Sequence, residues 1–320
     1  MKLRFVISSQ TNPYWNVAVE NYLLGREEYD TVTLYLWKNR RTVVIGQNQN
    51  PYAECNVEML ERDGGYLMRR KTGGGAVYHD DGNINFSFVV PHEHYDQTRQ
   101  FSVIRRAVES YGLSTELSGR NDVLCEGRKF SGNAFNKSKY QHLHHGTILI
   151  KGNIEDLQRY LKVKPAKLQK HGVASVQSRV VNLSELAPVS AENIVPRLRE
   201  AFEQEYGAKA EEVSFDELLQ CPEVKAIYDE MSSEEWRFGR WKSFVAQRSA
   251  QYDWGGVELQ IDVDQQAGRI VHVEIASDGL DLAVIEAARN ILQGADVHQR
   301  PSTEGLAGGA MIEDILNMIY

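Results

Sequence analysis

Residues 69–80 read Arg-Arg-Lys-Thr-Gly-Gly-Gly-Ala-Val-Tyr-His-Asp, three cations set directly before a threonine and three glycines. Glycine has no Cβ, so a ligand can approach its backbone closely, and it tolerates positive φ. Successive N–H groups beside guanidinium and ammonium groups make an anion cradle. A flexible surface turn with charged neighbours reads the same over the glycines alone. The residues after the glycines narrow the class of binder. Ile84, Phe86, Phe88 and Val90 recur at every second position, the period of a strand, and Asp81-Gly82 before them is a turn signal. The glycines are therefore expected to open a β-hairpin. A P-loop and a dinucleotide fingerprint both need a helix directly after their glycines, and neither that helix nor that spacing is present.

Lys129 stands in Gly-Arg-Lys-Phe-Ser-Gly, next to a short strand. Most lysines are solvated surface groups. The functional reading is a compact point charge aimed at an oxygen that gains negative charge in a transition state. Asn121-Asp122 offers two oxygens of the kind Mg²⁺ prefers, although the pair makes an Asx-turn just as readily and the pattern alone favours the turn. His144 and His145 are adjacent on an expected strand and point to opposite faces, so they cannot both hold one zinc ion. His79-Asp80 could be a base and its orienter, but no serine or cysteine sits at a recognisable nucleophile turn.

The elements that must position these groups alternate between strands and helices. Strands are expected at 2–7, 31–37, 42–45, 66–68, 84–90, 123–124 and 142–150. Asn12-Pro13 and Asn50-Pro51 are each a cap followed by proline at the first helical position, so helices are expected over 13–25 and 52–63. Further helices are expected over 97–111, 191–206 and 214–219. Residues 162–190 are lysine-rich, too polar for a core and long for an idle connection; the pattern reads equally as a binding loop or lid and as a solvated charged helix end plus linker. After residue 246 the pattern changes to two period-two strands, 257–263 and 270–275, and two helices near 282–292 and 310–319. The fold class is α+β: a mixed sheet with flanking helices over 1–246, and a small α+β accessory domain over 247–320.

Composition narrows the setting. The chain has 320 residues, 42% of them hydrophobic, and a net charge of −8 that argues against bulk nucleic-acid binding. No apolar run is long enough to span a membrane, and the N-terminus reads as a strand rather than a signal peptide. Cys55, Cys125 and Cys221 are odd in number and widely spaced, which suggests reduced thiols in a cytoplasmic protein.

Taken together, the motifs at 69–80, Gly119-Arg120-Asn121-Asp122, Arg128 to Ala134, His144-His145-Gly146-Thr147, Ser175 to Leu183 and Trp254 to Leu259 resemble the two-domain bacterial lipoate–protein ligases. They run in that family's order over most of the chain. The resemblance implies a catalytic domain shared with biotin ligases and octanoyl transferases. It implies a two-step reaction: ATP with Mg²⁺ activates free lipoate as lipoyl-AMP, and a lysine of a lipoyl domain then takes the acyl group. It assigns Arg70, Gly75, Ala76, Val77, Tyr78 and Lys129 to the nucleotide. Lys129, Gly74, His79, His145 and Gly146 go to lipoate, and Asp122 with Asn121 to the metal. Lys129 carries the catalysis, and a loop around 170–182 closes over the adenylate. The partners implied are lipoyl domains of 2-oxoacid dehydrogenase complexes and the glycine cleavage H protein. No prosthetic group, nucleic acid or membrane is implied, and the protein is expected to be a cytoplasmic monomer. The alternatives on the same fold are an octanoyl or lipoyl amidotransferase, for which Cys125 would be the nucleophile, and a lipoate-binding regulator without catalysis.

Overall fold

The computed structural model describes residues 1–119, 121–162, 180–238, 246–264, 268–279 and 281–320. In chain order the described strands are β1 (Lys2–Ile7), β2 (Thr31–Trp37), β3 (Thr42–Ile45), β4 (Tyr66–Arg69), β5 (Val77–His79), β6 (Asn83–Pro91), β7 (Thr115–Ser118), β8 (Asp122–Cys125), β9 (Arg128–Lys137), β10 (Gln141–Leu149), β11 (Ala210–Ser214), β12 (Ala246–Tyr252), β13 (Gly255–Asp264) and β14 (Arg269–Ser277). The described α-helices are α1 (Pro13–Gly25), α2 (Pro51–Glu54), α3 (Val57–Arg62), α4 (Gln97–Glu109), α5 (Ile154–Tyr160), α6 (Ala191–Tyr206), α7 (Phe215–Leu218), α8 (Pro222–Ser232), α9 (Glu234–Phe238), α10 (Leu282–Leu292) and α11 (Gly309–Leu316).

Eight strands form one mixed sheet in the order β11-β1-β2-β6-β10-β9-β8-β7, with β1 parallel to both neighbours. Two adjacent inner strands, β2 and β6, are buried along their whole length. Both faces are therefore covered. On one face Phe86, Phe88 and Val90 pack with Ile104 and Val108 of α4 and Leu198 and Phe202 of α6. On the other, Tyr35 and Val89 pack with Val17, Ala18 and Leu24 of α1 and Val224 and Met231 of α8. The alternation in β6 is real, but its polar members do not face water. Asn83, Asn85 and Ser87 are all buried.

Strands β4-β3-β5 form a second small sheet that carries the glycine loop. Here the structure corrects the hairpin expectation: β5 pairs with β3, and β6 pairs with β2 and β10. The Asp81-Gly82 turn is a corner between two sheets. Asp80 ties it down, its carboxylate accepting Gly82 N–H (2.9 Å) and Asn153 N–H (2.7 Å), while Gly82 O accepts from Ile150 and Lys151. The helix expected over 52–63 is two helices, α2 and α3. Cys55 bridges to Leu161, Asn56 N–H bonds to Tyr160 O and Lys162 N–H to Glu54 O, so backbone groups that would close the helix are given to a neighbouring chain segment. Pattern reading also passed over β7, β11, β12, α5 and α8.

The C-terminal strands β12-β13-β14 form a third sheet whose apolar face, with Leu259 and Ile275, packs on Ile285 and Leu292 of α10 and Ile312 of α11. Among the described residues no helix is long and apolar enough to cross a membrane.

Candidate functional site

The glycine loop is braced from within. Arg70 is 7% exposed, and its guanidinium donates to Gly73 O (2.8 Å), Gly75 O (2.8 Å), Val44 O (3.3 Å) and Thr72 Oγ1 (2.9 Å). These carbonyls replace water without a carboxylate partner, and burial lowers the Arg70 pKa to about 10. Arg69 is buried the same way. It donates to the carbonyls of Gly46, Gln47 and Gln49 and, in α9, to those of Trp236 and Arg237. Lys71 turns outward to Glu230 (3.2 Å). Of the three cations before the glycines, only Arg70 borders the site cavity, and its N–H groups hold the loop's shape. Gly74 takes φ 96°, which favours glycine. A Cβ on Gly46 would run into the Gly74 carbonyl, so the loop sits flush against the segment after β3.

Facing the loop is a row of side chains across four adjacent strands. Trp37 on β2 pairs with Asn85 on β6, Asn85 pairs with Thr147 on β10, and Thr147 Oγ1 accepts the N–H of Gly132 on β9 (3.2 Å). Three interstrand steps make this row about 14 Å long. A cavity of about 260 Å³ lies between the row, the loop and α1. At the Gly132 end stands Lys129, its Nζ 2.7 Å from Asp122 Oδ1. A Cβ on Gly132 would come within 2.9 Å of that amine, so the glycine keeps the space open. Lys129 O also accepts Val181 N–H (2.9 Å), which fixes the strand carrying it.

The structure brings Arg70, Gly74, Gly75, Ala76, Val77, His79, Asn121, Lys129, His145 and Gly146 together on the cavity wall. Tyr78 points the other way, packed against Tyr160 with its hydroxyl on Asp156 and its pKa pushed up by burial. Asp122 borders the site only through Lys129. Asn121 and Asn133 clamp each other, each side-chain amide donating to the other's carbonyl at 2.9 Å. His144 and His145 do face opposite ways. His144 sits in the core between Gln100 and Asn133, and burial lowers its pKa to about 3. His145 bonds Glu20 and Thr72. His79 is buried beside Trp37, its Nδ1 3.2 Å from Asn39, and its pKa falls to about 3 for the same reason, so His79 and His144 are both neutral rings and weak proton acceptors at neutral pH. Cys125 is completely buried in the core, and burial raises its pKa, which denies it the thiolate an acyl transferase needs. Residues 163–179 of the expected closing loop, and Arg120, lie outside the described residues.

Pattern reading missed Glu20, Trp37 and Asn85, and gave no role to Asn133 and Thr147 within the motifs it singled out. Glu20 had a signal: it is the one carboxylate in α1 between Asn12 and Gly25, on a helix that is buried on most sides.

The family model for the lipoyl protein ligase A/B catalytic domain matches residues 12–203. A curated lipoate-protein ligase A of Psychrobacter cryohalolentis is 39% identical over 305 residues, covering 93% of this chain and 89% of that protein. The chain belongs to the lipoyl protein ligase A/B family. Among solved structures, Plasmodium falciparum LipL1 in complex with lipoate superposes with a TM-score of 0.85 at 28% identity, over 98% of both chains. The bipartite lipoate protein ligase of Thermoplasma acidophilum, studied with its E2 lipoyl domain, gives 0.64 at 26% identity, over 77% of this chain and all of that one. A lipoate-protein ligase A bound with ATP gives 0.62 at 25% identity, over 75% of this chain and all of that one. The mixed sheet with flanking helices expected from the sequence is the fold of these ligases.

Proposed function

We propose that the protein is a lipoate–protein ligase, joining the carboxyl group of free lipoate to a lysine amine of lipoyl domains through lipoyl-AMP. The observation that carries this reading is Lys129 on the wall opposite the glycine loop, at one end of an acyl-sized row. An extended eight-carbon chain is about 9 Å long, so with its carboxylate at Lys129 it runs along most of the row of about 14 Å towards Trp37 and His79. In the first half-reaction a lipoate carboxylate oxygen bonds to the α-phosphorus of ATP, and the bond from that phosphorus to pyrophosphate breaks. Both partners are negative, so the step needs cations and N–H donors fixed in advance. Lys129 supplies the charge, and Gly74, Gly75, Ala76 and Val77 supply backbone. Tyr78 contributes through its backbone only. In the second half the lysine nitrogen bonds to the acyl carbon, AMP leaves with the anhydride oxygen, and the surplus proton goes to solvent.

Magnesium enters with the nucleotide as its substrate complex. Asp122 and Asn121 fit it as oxygen donors: the Asn121 amide nitrogen is already given to Asn133, and Asp122 is a partly exposed carboxylate. Bound there, the ion would neutralise phosphate charge. In the present arrangement Gly74 N–H is donated to Gly279 O (3.2 Å), so an anion in the cradle competes with the segment after β14. We assign residues 1–246 to catalysis and 247–320 to an accessory domain, on the grounds of its separate apolar core. We take the acceptors to be the lipoyl domains of 2-oxoacid dehydrogenase complexes and the glycine cleavage H protein, and the enzyme to act as a cytoplasmic monomer.

The test is Lys129→Ala in lipoate-dependent exchange of labelled pyrophosphate into ATP. The Lys129–Asp122 pair is about one-third exposed on each side, so losing it should cost less than about 1 kcal/mol of stability. Exchange should fall roughly 10²- to 10³-fold. A rate within a few-fold of wild type removes Lys129 from the mechanism.

A further inference from the structure

A continuous line of buried hydrogen bonds joins the acyl end of the cavity to the glycine loop. Trp37 Nε1 donates to Ser87 Oγ (2.9 Å), and the Ser87 hydroxyl donates to Glu20 Oε1 (2.5 Å). His145 Nδ1 lies 2.8 Å from the same carboxylate oxygen, and its Nε2 lies 3.0 Å from Thr72 Oγ1. Arg70 Nε donates to Thr72 Oγ1 (2.9 Å), and Arg70 Nη2 donates to the carbonyls of Gly73 and Gly75. None of the six side chains belongs to a residue more than 8% exposed.

The donors converge on the Glu20 carboxylate from both ends, through Trp37 and Ser87 on one side and through Arg70, Thr72 and His145 on the other. Arginine can only donate, so the Thr72 oxygen accepts from Arg70, and with a neutral His145 ring the Thr72 proton turns to Nε2. That leaves the His145 Nδ1–H for Glu20. Every member is satisfied, and a satisfied buried network rigidifies what it touches. Trp37, Glu20, His145 and Arg70 border the cavity; Thr72 and Ser87 do not.

We propose that this line couples the two halves of the cavity, with Thr72 as the positioning residue at its junction with the glycine loop. The proposal rests on the ligase reading for the identity of the two ligands. An acyl chain against Trp37 and Glu20 excludes water from that wall, and hydrogen bonds to the Glu20 carboxylate strengthen as the local dielectric falls. This fixes the His145 ring and the Thr72 hydroxyl rotor. The rotor sets Arg70, and Arg70 holds the Gly73 and Gly75 carbonyls. Lipoate therefore prepares the phosphate loop before the nucleotide arrives. Linkage requires the reverse as well: the nucleotide tightens lipoate by the same factor.

The experiment measures the affinity of an ATP analogue with an uncleavable α,β-bridge, by calorimetry, with and without saturating lipoate. In wild type, lipoate should tighten the analogue by about fivefold or more, in the range usual for coupled sites. Thr72→Val keeps the volume and removes the hydroxyl. It should bring the factor close to one and weaken the analogue more than it weakens lipoate. Thr72→Ser should keep the coupling. A factor of one in wild type overturns the proposal, as does full coupling in Thr72→Val or equal loss in the serine variant. If Thr72→Val does not fold, hydrogen exchange on wild type decides. Lipoate alone should slow the amides of residues 73–76, and unchanged exchange there overturns the proposal. Failure of either ligand to bind wild type contradicts the ligase reading itself and the coupling with it.

Discussion

Gly146→Ala should separate the two strands that form the floor of the site. A Cβ at residue 146 would stand 2.5 Å from Asn133 Oδ1, 2.7 Å from Phe86 Cζ and 2.8 Å from Gly132 O. All three are closer than a carbon can approach, and one is backbone. Relief of the backbone contact requires that β10 moves away from β9, and Asn133 and Phe86 must swing out as well. Swinging Asn133 out breaks its 2.9 Å bond to His144 and its clamp on Asn121. Overpacking a tight interior costs about 1–3 kcal/mol, and a broken buried hydrogen bond about 1 kcal/mol more. The expected loss is therefore about 2–4 kcal/mol. The same movement displaces Gly132, whose neighbour in space is the Lys129 amine, so lipoate affinity and exchange rate should fall together. Urea unfolding and calorimetric titration with lipoate measure the two effects. A variant that unfolds at the wild-type urea concentration and binds lipoate normally would refute the close approach of β9 and β10.

Residue 75 supplies the contrast. A Cβ there would have only Asp278 nearby, 4.0 Å away, so protein atoms do not require glycine; Gly75→Val should fold as wild type yet lose nucleotide binding, while Lys71→Ala, which removes the ion pair to Glu230 and the amine's contact with the Trp236 ring, should keep activity within about twofold. Equal effects in pyrophosphate exchange would count against the loop as a phosphate wall. Stability should also fall in mild acid. His79 and His144 have folded pKa values lowered to about 3 from an ordinary 6.5, so the fold favours their neutral forms; that contribution is complete above pH 6.5 and is lost as pH falls towards 3. Two such groups predict a loss of about 2 kcal/mol between about pH 6.5 and 5.5 in urea unfolding, and an unchanged midpoint would contradict their burial as neutral rings.

Much of the site was legible because its residues are too irregular for a purely structural pattern to explain. Three glycines after three cations, and Lys129 between glycines, stand out from any periodic pattern, and they do meet across one cavity. The roles of the cations were not legible. A buried arginine satisfied by carbonyls and one offered to a ligand have the same neighbours in sequence; only the positions of Gly73 O and Gly75 O, or of Gln47 O and Trp236 O, tell them apart. The β-branched and aromatic runs at 31–37 and 42–45 and the helix caps at Asn12 and Asn50 matched the structure because they are local. The Asp81-Gly82 corner and the break at Cys55 were lost because distant segments, 150–153 and 160–162, take the backbone groups a local reading would pair. Glu20 and Thr72 carry a network that crosses 125 positions of chain from Glu20 to His145, and no spacing rule reaches so far.

The central claim is that acyl activation runs through ATP and needs no cysteine. Wild type and Cys125→Ser should each be incubated with a lipoyl domain and either free lipoate or a lipoyl thioester, with and without ATP and magnesium, and both enzyme and acceptor weighed by intact-mass spectrometry. Both proteins should add one lipoyl group to the acceptor only when ATP is present. A lipoyl adduct that forms on the enzyme without ATP, and disappears in Cys125→Ser, would contradict the account.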